Sequence, residues 1–132
     1  MSEPGLELRA TAVLVELNRR GGYSLSLVCT EQGLLIASAG DLERSEVAAG
    51  LTSLLNDIAL RAMRDYSVDE IDEMTLLSGT SGRFIVRALA QGFSPRLFLV
   101  VQAPRRATWR RVTTVAARKL SLIVRPLLDR AT

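Results

Sequence analysis

The segment DLERSEVAAGLTSLLNDIALRAMRDY, residues 41–66, constrains the fold more than any other part of the chain. Apolar residues recur along it at intervals of three and four, which predicts a long helix with Asp41 or Ser45 as its N-cap. At 100° per residue, the non-polar surface covers about half of the circumference, whereas a helix on one sheet needs a stripe of only about 100°. A chain of 132 residues is too small to bury such a helix on all sides. We therefore expect its second face to contact a partner.

A helix and a β-hairpin are predicted before this segment. Residues 6–20 have helical apolar spacing and are followed by two glycines that end the helix. Residues 23–30 alternate, which predicts a half-buried strand with its serine and threonine side chains on the solvated face. A turn at 31–33, with Gly33 at positive φ, leads to a return strand at 34–38.

Three strands and a last helix are predicted after the long helix. Residues 67–73 form an acidic connector, and the arginines of the following region alternate with apolar residues, which indicates one solvated face. The predicted elements are strands at 74–78, 83–90 and 97–102, joined by the turns GTSG and QGFSP, and a helix at 108–125 that Pro126 ends or kinks. The economical architecture is an α+β fold of order α-β-β-α-β-β-β-α, with a five-stranded antiparallel sheet and flanking helices.

The two parts of the chain carry opposite charge. Residues 1–82 contain 6 basic and 13 acidic residues, a balance of −7, and residues 83–132 contain 11 basic residues and one acid, a balance of +10. Such asymmetry is found on nucleic-acid-binding or acidic-partner-binding proteins. An acidic and a basic element that face each other, within or between protomers, explain it equally simply. We favour this second interpretation because no aromatic residues are interleaved with the arginines as stacking platforms.

The sequence offers little for catalysis. It contains no histidine, which excludes Ser-His-Asp and Cys-His nucleophiles and histidine metal ligands. Cys29 is the only cysteine and alternates with core residues, so we expect a buried structural thiol in a reducing cytoplasm. The acidic run within 69–73 lacks the spacing of a calcium loop. We predict no enzyme activity, no catalytic residue, no cofactor and no metal site.

One short basic segment, PRRATWRR at 104–111, is the candidate surface for recognition of a partner. Its tryptophan either contributes to that surface or closes the edge of the core while the arginines remain solvated. The candidate residues of this surface are Trp109, Arg105, Arg106, Arg110 and Arg111.

Three stretches resemble the Roadblock family, the dynein light-chain relatives. QGLLIASAGD resembles the family's hairpin strand and its exit into a long helix. EVAAGLTSLLNDIALRAM resembles that small-residue helix, and LFLVVQAP resembles the last strand before a closing helix. The resemblance spans about residues 6–125 and implies a profilin-like fold of Roadblock type, with residues 1–132 forming a single domain. Gln32, where the family more often has an acidic residue or asparagine, and the basic segment PRRATWRR depart from the family pattern.

The resemblance also implies a function. Family members are non-catalytic dimers in which the long helices pack antiparallel and the third strands pair. They bind small Ras-like GTPases as activators or scaffolds, or serve as adaptors in motor complexes. The partners implied are therefore a second copy of the chain and a small Ras-like GTPase, with no membrane span and no nucleic acid. The interface residues implied by position are Ala48, Thr52, Leu55, Ala59 and Met63 on the helix, with Met74 and Leu76 on the strand.

Two alternative functions remain open from the residues alone. A profilin-like or PAS-like sensory domain would bind a small ligand between sheet and helix, and it would need a cavity with convergent polar groups. A nucleic-acid binder would use the basic last helix, and its affinity would depend steeply on salt.

Overall fold

A computed structural model describes residues 5–89 and 95–131, with side chains up to residue 125. Within these residues three helices and five strands follow the predicted order, which confirms the α+β fold class. The elements are α1 (Leu6–Gly21), β1 (Leu25–Thr30), β2 (Leu35–Ala39), α2 (Leu42–Asp65), β3 (Glu73–Ser78), β4 (Gly82–Ala88), β5 (Leu97–Ala103) and α3 (Arg110–Ala131). None of the described helices combines the length and the hydropathy that a membrane span needs.

The five strands form one sheet in the order β2-β1-β5-β4-β3, with every neighbouring pair antiparallel. The continuous apolar run LFLVV at residues 97–101 predicts a central strand covered by helices. Strand β5, which contains this run, lies at the centre of the sheet, and β2 and β3 form the two edges. The first and last strand pairs are hairpins, whereas β5 joins them by inserting between β1 and β4. Within residues 5–89 and 95–131, the outer edge of β3 has no strand neighbour.

The helices cover the two faces of the sheet unequally. Helices α1 and α3 pack together on one face, over a core that includes Leu14, Val28, Leu99 and Leu120. Helix α2 lies alone on the other face, where it contacts β1, β2 and, at fewer points, β5. Because α2 is placed over this half of the sheet, the side of β3 and β4 that faces α2 is only partly covered.

Strand β1 differs from its prediction, because it is buried along its whole length rather than on one face. It lies between β2 and β5, with α1 on one side and α2 on the other. The Ser26 hydroxyl donates to the Leu14 carbonyl of α1 at 3.3 Å, so burial of this polar group leaves its donor paired. The Thr30 hydroxyl accepts the Leu34 N–H at 3.1 Å and holds the following turn, where Gly33 has the predicted positive φ of 87°.

The ends of three elements test the boundary predictions. Asp41 caps α2 as predicted, since its carboxylate accepts the Arg44 N–H at 2.9 Å. Helix α3 continues past Pro126, so of the two predicted outcomes an end at that residue is wrong, and a kink stays a prediction. An interior proline removes one backbone hydrogen bond and its ring clashes with the carbonyl four residues before it, which bends a helix that it does not end. Strand β4 ends at Ala88, two residues early, and position 90 and most of the predicted turn at 91–95 lie outside the described residues.

Candidate interaction surface on helix α2 and strand β3

A row of large apolar side chains faces solvent along α2. Val47, Leu51, Leu54 and Ile58 are 68%, 36%, 62% and 61% exposed, and their spacing of four, three and four residues places them on one side of the helix. We call these four residues the α2 stripe. A single exposed leucine is ordinary on a protein surface, but four in a continuous row indicate an interface.

The opposite side of α2 is made of small residues and faces the chain's own sheet. The buried members are Ser45, Ala48, Ala49, Thr52, Asn56 and Ala59. Their size lets the helix approach β1 closely, and the Thr52 hydroxyl is paired with the Ala48 carbonyl at 2.8 Å. Close packing on the sheet is thus achieved by the small residues, and the large apolar residues are left to face outward.

The predicted interface residues divide between these two sides. Ala48, Thr52 and Ala59 are at most 6% exposed and pack inside the protomer, so they offer almost no surface to a partner. Leu55 and Met63 are half-buried, and the helical position of Met63 is on the side of the small residues. The stripe residues were not among the predicted interface residues. Their greater size was the available signal, because bulky side chains would hold a helix away from its own sheet.

Strand β3 extends the apolar surface from α2 to the edge of the sheet. Met74 is half-buried, while Leu76 and Leu77 are 46% and 52% exposed on opposite faces of the strand. An open groove of about 370 Å³ separates the first half of α2 from Phe84 and Gln102 on β4 and β5. An exposed apolar edge strand beside an open groove is a site for strand pairing unless something covers it.

The basic segment PRRATWRR, which ends in the first two residues of α3, has its tryptophan in the core. Trp109 is only 7% exposed and belongs to the core between α1 and α3, so the structural alternative applies to it. The Tyr23 hydroxyl anchors the segment by donating to the Thr108 carbonyl at 2.8 Å. The Arg110 guanidinium stacks over the Trp109 ring at 4.5 Å. Four arginines of this segment remain exposed, namely Arg105, Arg106, Arg110 and Arg111.

Arg87 links the sheet to α3 and was missed by the sequence patterns. Its guanidinium donates to the hydroxyls of Thr113 and Thr114, each at 2.8 Å, and lies 4.0 Å from the Glu73 carboxylate. Alternation along β4 had placed this side chain on a solvated face, but α3 covers that position. The partner hydroxyls lie more than 25 residues away in sequence, so periodicity alone could not identify them.

A second open groove, of about 490 Å³, lies between β4 and α3. Its lining includes the Arg87, Arg118 and Arg125 side chains and the apolar residues Leu89 and Ala117. It lies on the α1/α3 side of the sheet, away from the space between the sheet and α2 where the sensory-domain alternative would place its ligand. Among the described residues, no group of three or more histidine, cysteine or acidic side chains could hold a metal ion.

Cys29 lies on β1 beneath α2 and is fully buried. Burial raises the pKa of its thiol to about 12, and a hydrogen bond with Thr52 acts in the opposite direction. Because the thiolate is the nucleophile, we expect no reaction of the native protein with a thiol-specific disulfide reagent on the timescale of minutes. The guanidinium-unfolded chain should react at once. Rapid labelling of the folded protein would show that the thiol is accessible.

The same shift predicts a pH dependence of stability. At pH values above 9.0, the ordinary pKa of a cysteine thiol, the folded state keeps the Cys29 proton and the unfolded state loses it. The stabilisation is therefore complete below pH 9 and is lost as the pH rises from there towards 12, by at most about 1.4 kcal/mol per pH unit. Urea titrations of the wild type and of Cys29→Ala should diverge in slope over this range. Parallel slopes would contradict the prediction.

Comparison with known proteins identifies solved structures that are similar in fold to this chain. No family model and no curated protein matches the sequence. Among solved structures, Myxococcus xanthus MglB is similar with 20% identity and a TM-score of 0.77, over 96% of this chain and 95% of that one. An MglB with a tetrameric arrangement has 18% identity and a TM-score of 0.79, over 97% and 96%. A Roadblock/LC7 domain from Streptomyces avermitilis has 18% identity and a TM-score of 0.67, over 90% and 97%.

The chain has the Roadblock fold. The similarity covers nearly all of this chain and of those structures, and it confirms the fold that the resemblance in QGLLIASAGD and the following helix implied.

Proposed function

We propose that this protein is a non-catalytic, cytoplasmic homodimer that regulates or scaffolds a small Ras-like GTPase. The observation that carries the proposal is the α2 stripe, four exposed apolar side chains beside the open edge of β3. The support for its function is the Roadblock fold, shared with MglB and with Roadblock/LC7 domains.

A second copy of the chain is the partner that this surface fits best. Packing of two α2 helices side by side removes the α2 stripe of both protomers from water in one step. The same two-fold axis can place the β3 edges together, which satisfies the free N–H and C=O groups of both edges. Such an interface continues the sheet across two protomers, as the Roadblock resemblance implies. In this arrangement Leu55, Met63, Met74 and Leu76 lie at or beside the contact.

The exposed arginines before α3 and in its first turn supply a surface for a second, acidic partner. Arg105, Arg106, Arg110 and Arg111 all reach solvent, and the charge of this part of the chain favours association with an acidic surface on the GTPase. A regulator acts on a GTPase only if it binds one nucleotide state better than the other. Stimulation of hydrolysis would in addition require that this chain bind the GTPase more tightly in the transition state of hydrolysis than in its GTP-bound ground state.

Binding to the Ras-like GTPase encoded nearest to this gene tests the proposal. We expect the protein to bind that GTPase loaded with a non-hydrolysable GTP analogue at least about tenfold more tightly than its GDP form, as measured by calorimetry. The double variant Arg105→Glu/Arg106→Glu should weaken binding, while Arg9→Glu on α1 should not. Equal affinity for both forms would exclude regulation, and no binding to either form would also exclude a scaffold. A duplex oligonucleotide in the same assay tests the nucleic-acid alternative, which requires tight binding with steep salt dependence.

A further inference from the structure

Two unpaired charges lie at the two ends of the α2 stripe. Glu43 is four residues before the first member of the stripe, and Arg61 is three residues after the last. Both side chains are exposed, and neither forms an ion pair with any side chain that the structure describes. By contrast, the neighbouring Arg64 is held by Asp65 at 3.1 Å. The ends of the apolar row therefore carry one free negative and one free positive charge.

The helical positions of these two charges are related by the geometry of α2. They are 18 residues apart, which at 3.6 residues per turn is five full turns, so both project from the same edge of the α2 stripe. The midpoint of the stripe lies between Leu51 and Leu54, at position 52.5. Glu43 is 9.5 residues before that midpoint and Arg61 is 8.5 residues after it. The two distances along the helix differ by one residue, or about 1.5 Å.

An antiparallel pair of stripes therefore brings opposite charges together. When two α2 helices pack about a two-fold axis through the stripe midpoint, Glu43 of one protomer lies level with Arg61 of the partner subunit, on the same edge of the contact. The symmetry repeats the pair at the other end. A parallel alignment about a two-fold axis would instead place Glu43 level with Glu43 of the partner subunit but on the opposite edge of the contact, so neither charge would meet an opposite one. Of the other charges near this end, Asp41, Arg44 and Glu46, the one basic residue Arg44 projects about 100° away from Glu43 around the helix, towards the opposite edge.

We propose that these two intermolecular ion pairs, Glu43 with Arg61 of the partner subunit and its symmetry mate, fix the antiparallel register of the dimer. This inference rests on the proposed homodimer. The α2 stripe supplies the drive to associate but is nearly symmetric in composition, so it does not by itself distinguish the two directions. The charges at its ends favour the antiparallel alignment because only that alignment pairs them with opposite charges, and they favour a second copy of this chain over an apolar helix without matching charges.

Charge exchange between the two positions tests the pairing. The single variants Glu43→Arg and Arg61→Glu each convert both ion pairs of the homodimer into like-charge contacts. Each should weaken the homodimer about tenfold or more at low salt, as measured by sedimentation equilibrium. An equimolar mixture of the two variants restores opposite charges at both ends. Random pairing of the two variants would make half of all dimers heterodimers. Native mass spectrometry of mass-labelled chains should therefore show a heterodimer fraction far above one half.

The control is Glu7→Arg, which reverses a carboxylate at the same first-turn position of α1 and should leave the dimer unchanged. The pairing is wrong if either single variant dimerises as tightly as the wild type, or if the mixture shows no preference for the heterodimer. These outcomes leave the homodimer itself intact. A wild-type protein that is monomeric would instead overturn the proposed homodimer, so the two failures are distinguishable.

Discussion

Replacement of Leu54 by glutamate is expected to convert the dimer into a folded monomer. Leu54 is 62% exposed in the protomer and lies at the centre of the α2 stripe, so the two-fold axis brings both copies of the new carboxylate into one apolar contact. Desolvation of paired like charges at a central position should raise the dissociation constant by about 100-fold or more. Sedimentation equilibrium of Leu54→Glu measures this directly.

The fold should survive the change, because glutamate has good helix propensity and the side chain makes little contact within its own protomer. Circular dichroism should show an unchanged helix content. The matched control is Leu8→Glu, which introduces the same charge at a leucine of α1 that is 64% exposed, and which should leave the dissociation constant unaltered. If Leu54→Glu dimerises as tightly as Leu8→Glu, the α2 stripe is not the interface.

Substitution of Gly82 by alanine is expected to lower the free energy of unfolding by about 3 kcal/mol. Gly82 begins β4 with φ at +85°, a conformation that costs other residues about 1–2 kcal/mol. An added Cβ would also overlap the Ala103 carbonyl oxygen of the neighbouring strand, and backbone on both sides cannot move aside without breaking the ladder. The change therefore destabilises the hairpin that presents β3 to the partner.

Gly50 is the matched control for this prediction. It lies within α2, has no positive φ, and a Cβ there would meet no atom within 4 Å. Gly50→Ala should therefore be neutral or stabilise the helix by up to about 1 kcal/mol. Urea titrations of both variants at one protein concentration measure the difference, since a dimer's stability depends on concentration. Equal midpoints for the two variants would show that the turn at Gly82 tolerates a side chain.

The order of the elements was predictable because each depends on local information. The helical period of α2, the cap at Asp41 and the glycine turn at position 33 are all set by residues close in sequence. The continuous apolar run of β5 likewise indicated its central place in the sheet. Local signals of this kind also carried the Roadblock resemblance.

The candidate surface was predictable only in part, because it depends on contacts between distant elements. The sequence showed that α2 is apolar on too wide an arc, and hence that a second face needs cover. It did not show which face packs on the sheet, and Ala48 and Ala59 were assigned outward although they lie inward. The burial of Trp109 and the contacts of Arg87 with α3 follow from the tertiary arrangement, which no periodicity records.

The molar mass of the wild-type protein in solution tests the central claim most directly. Sedimentation equilibrium at micromolar concentration should give twice the chain mass of 14.4 kDa, because the proposed homodimer covers the exposed α2 stripe and the β3 edge together. A mass of one chain throughout that range would contradict the homodimer and the register of its helices, and with them the mechanism proposed for binding a GTPase.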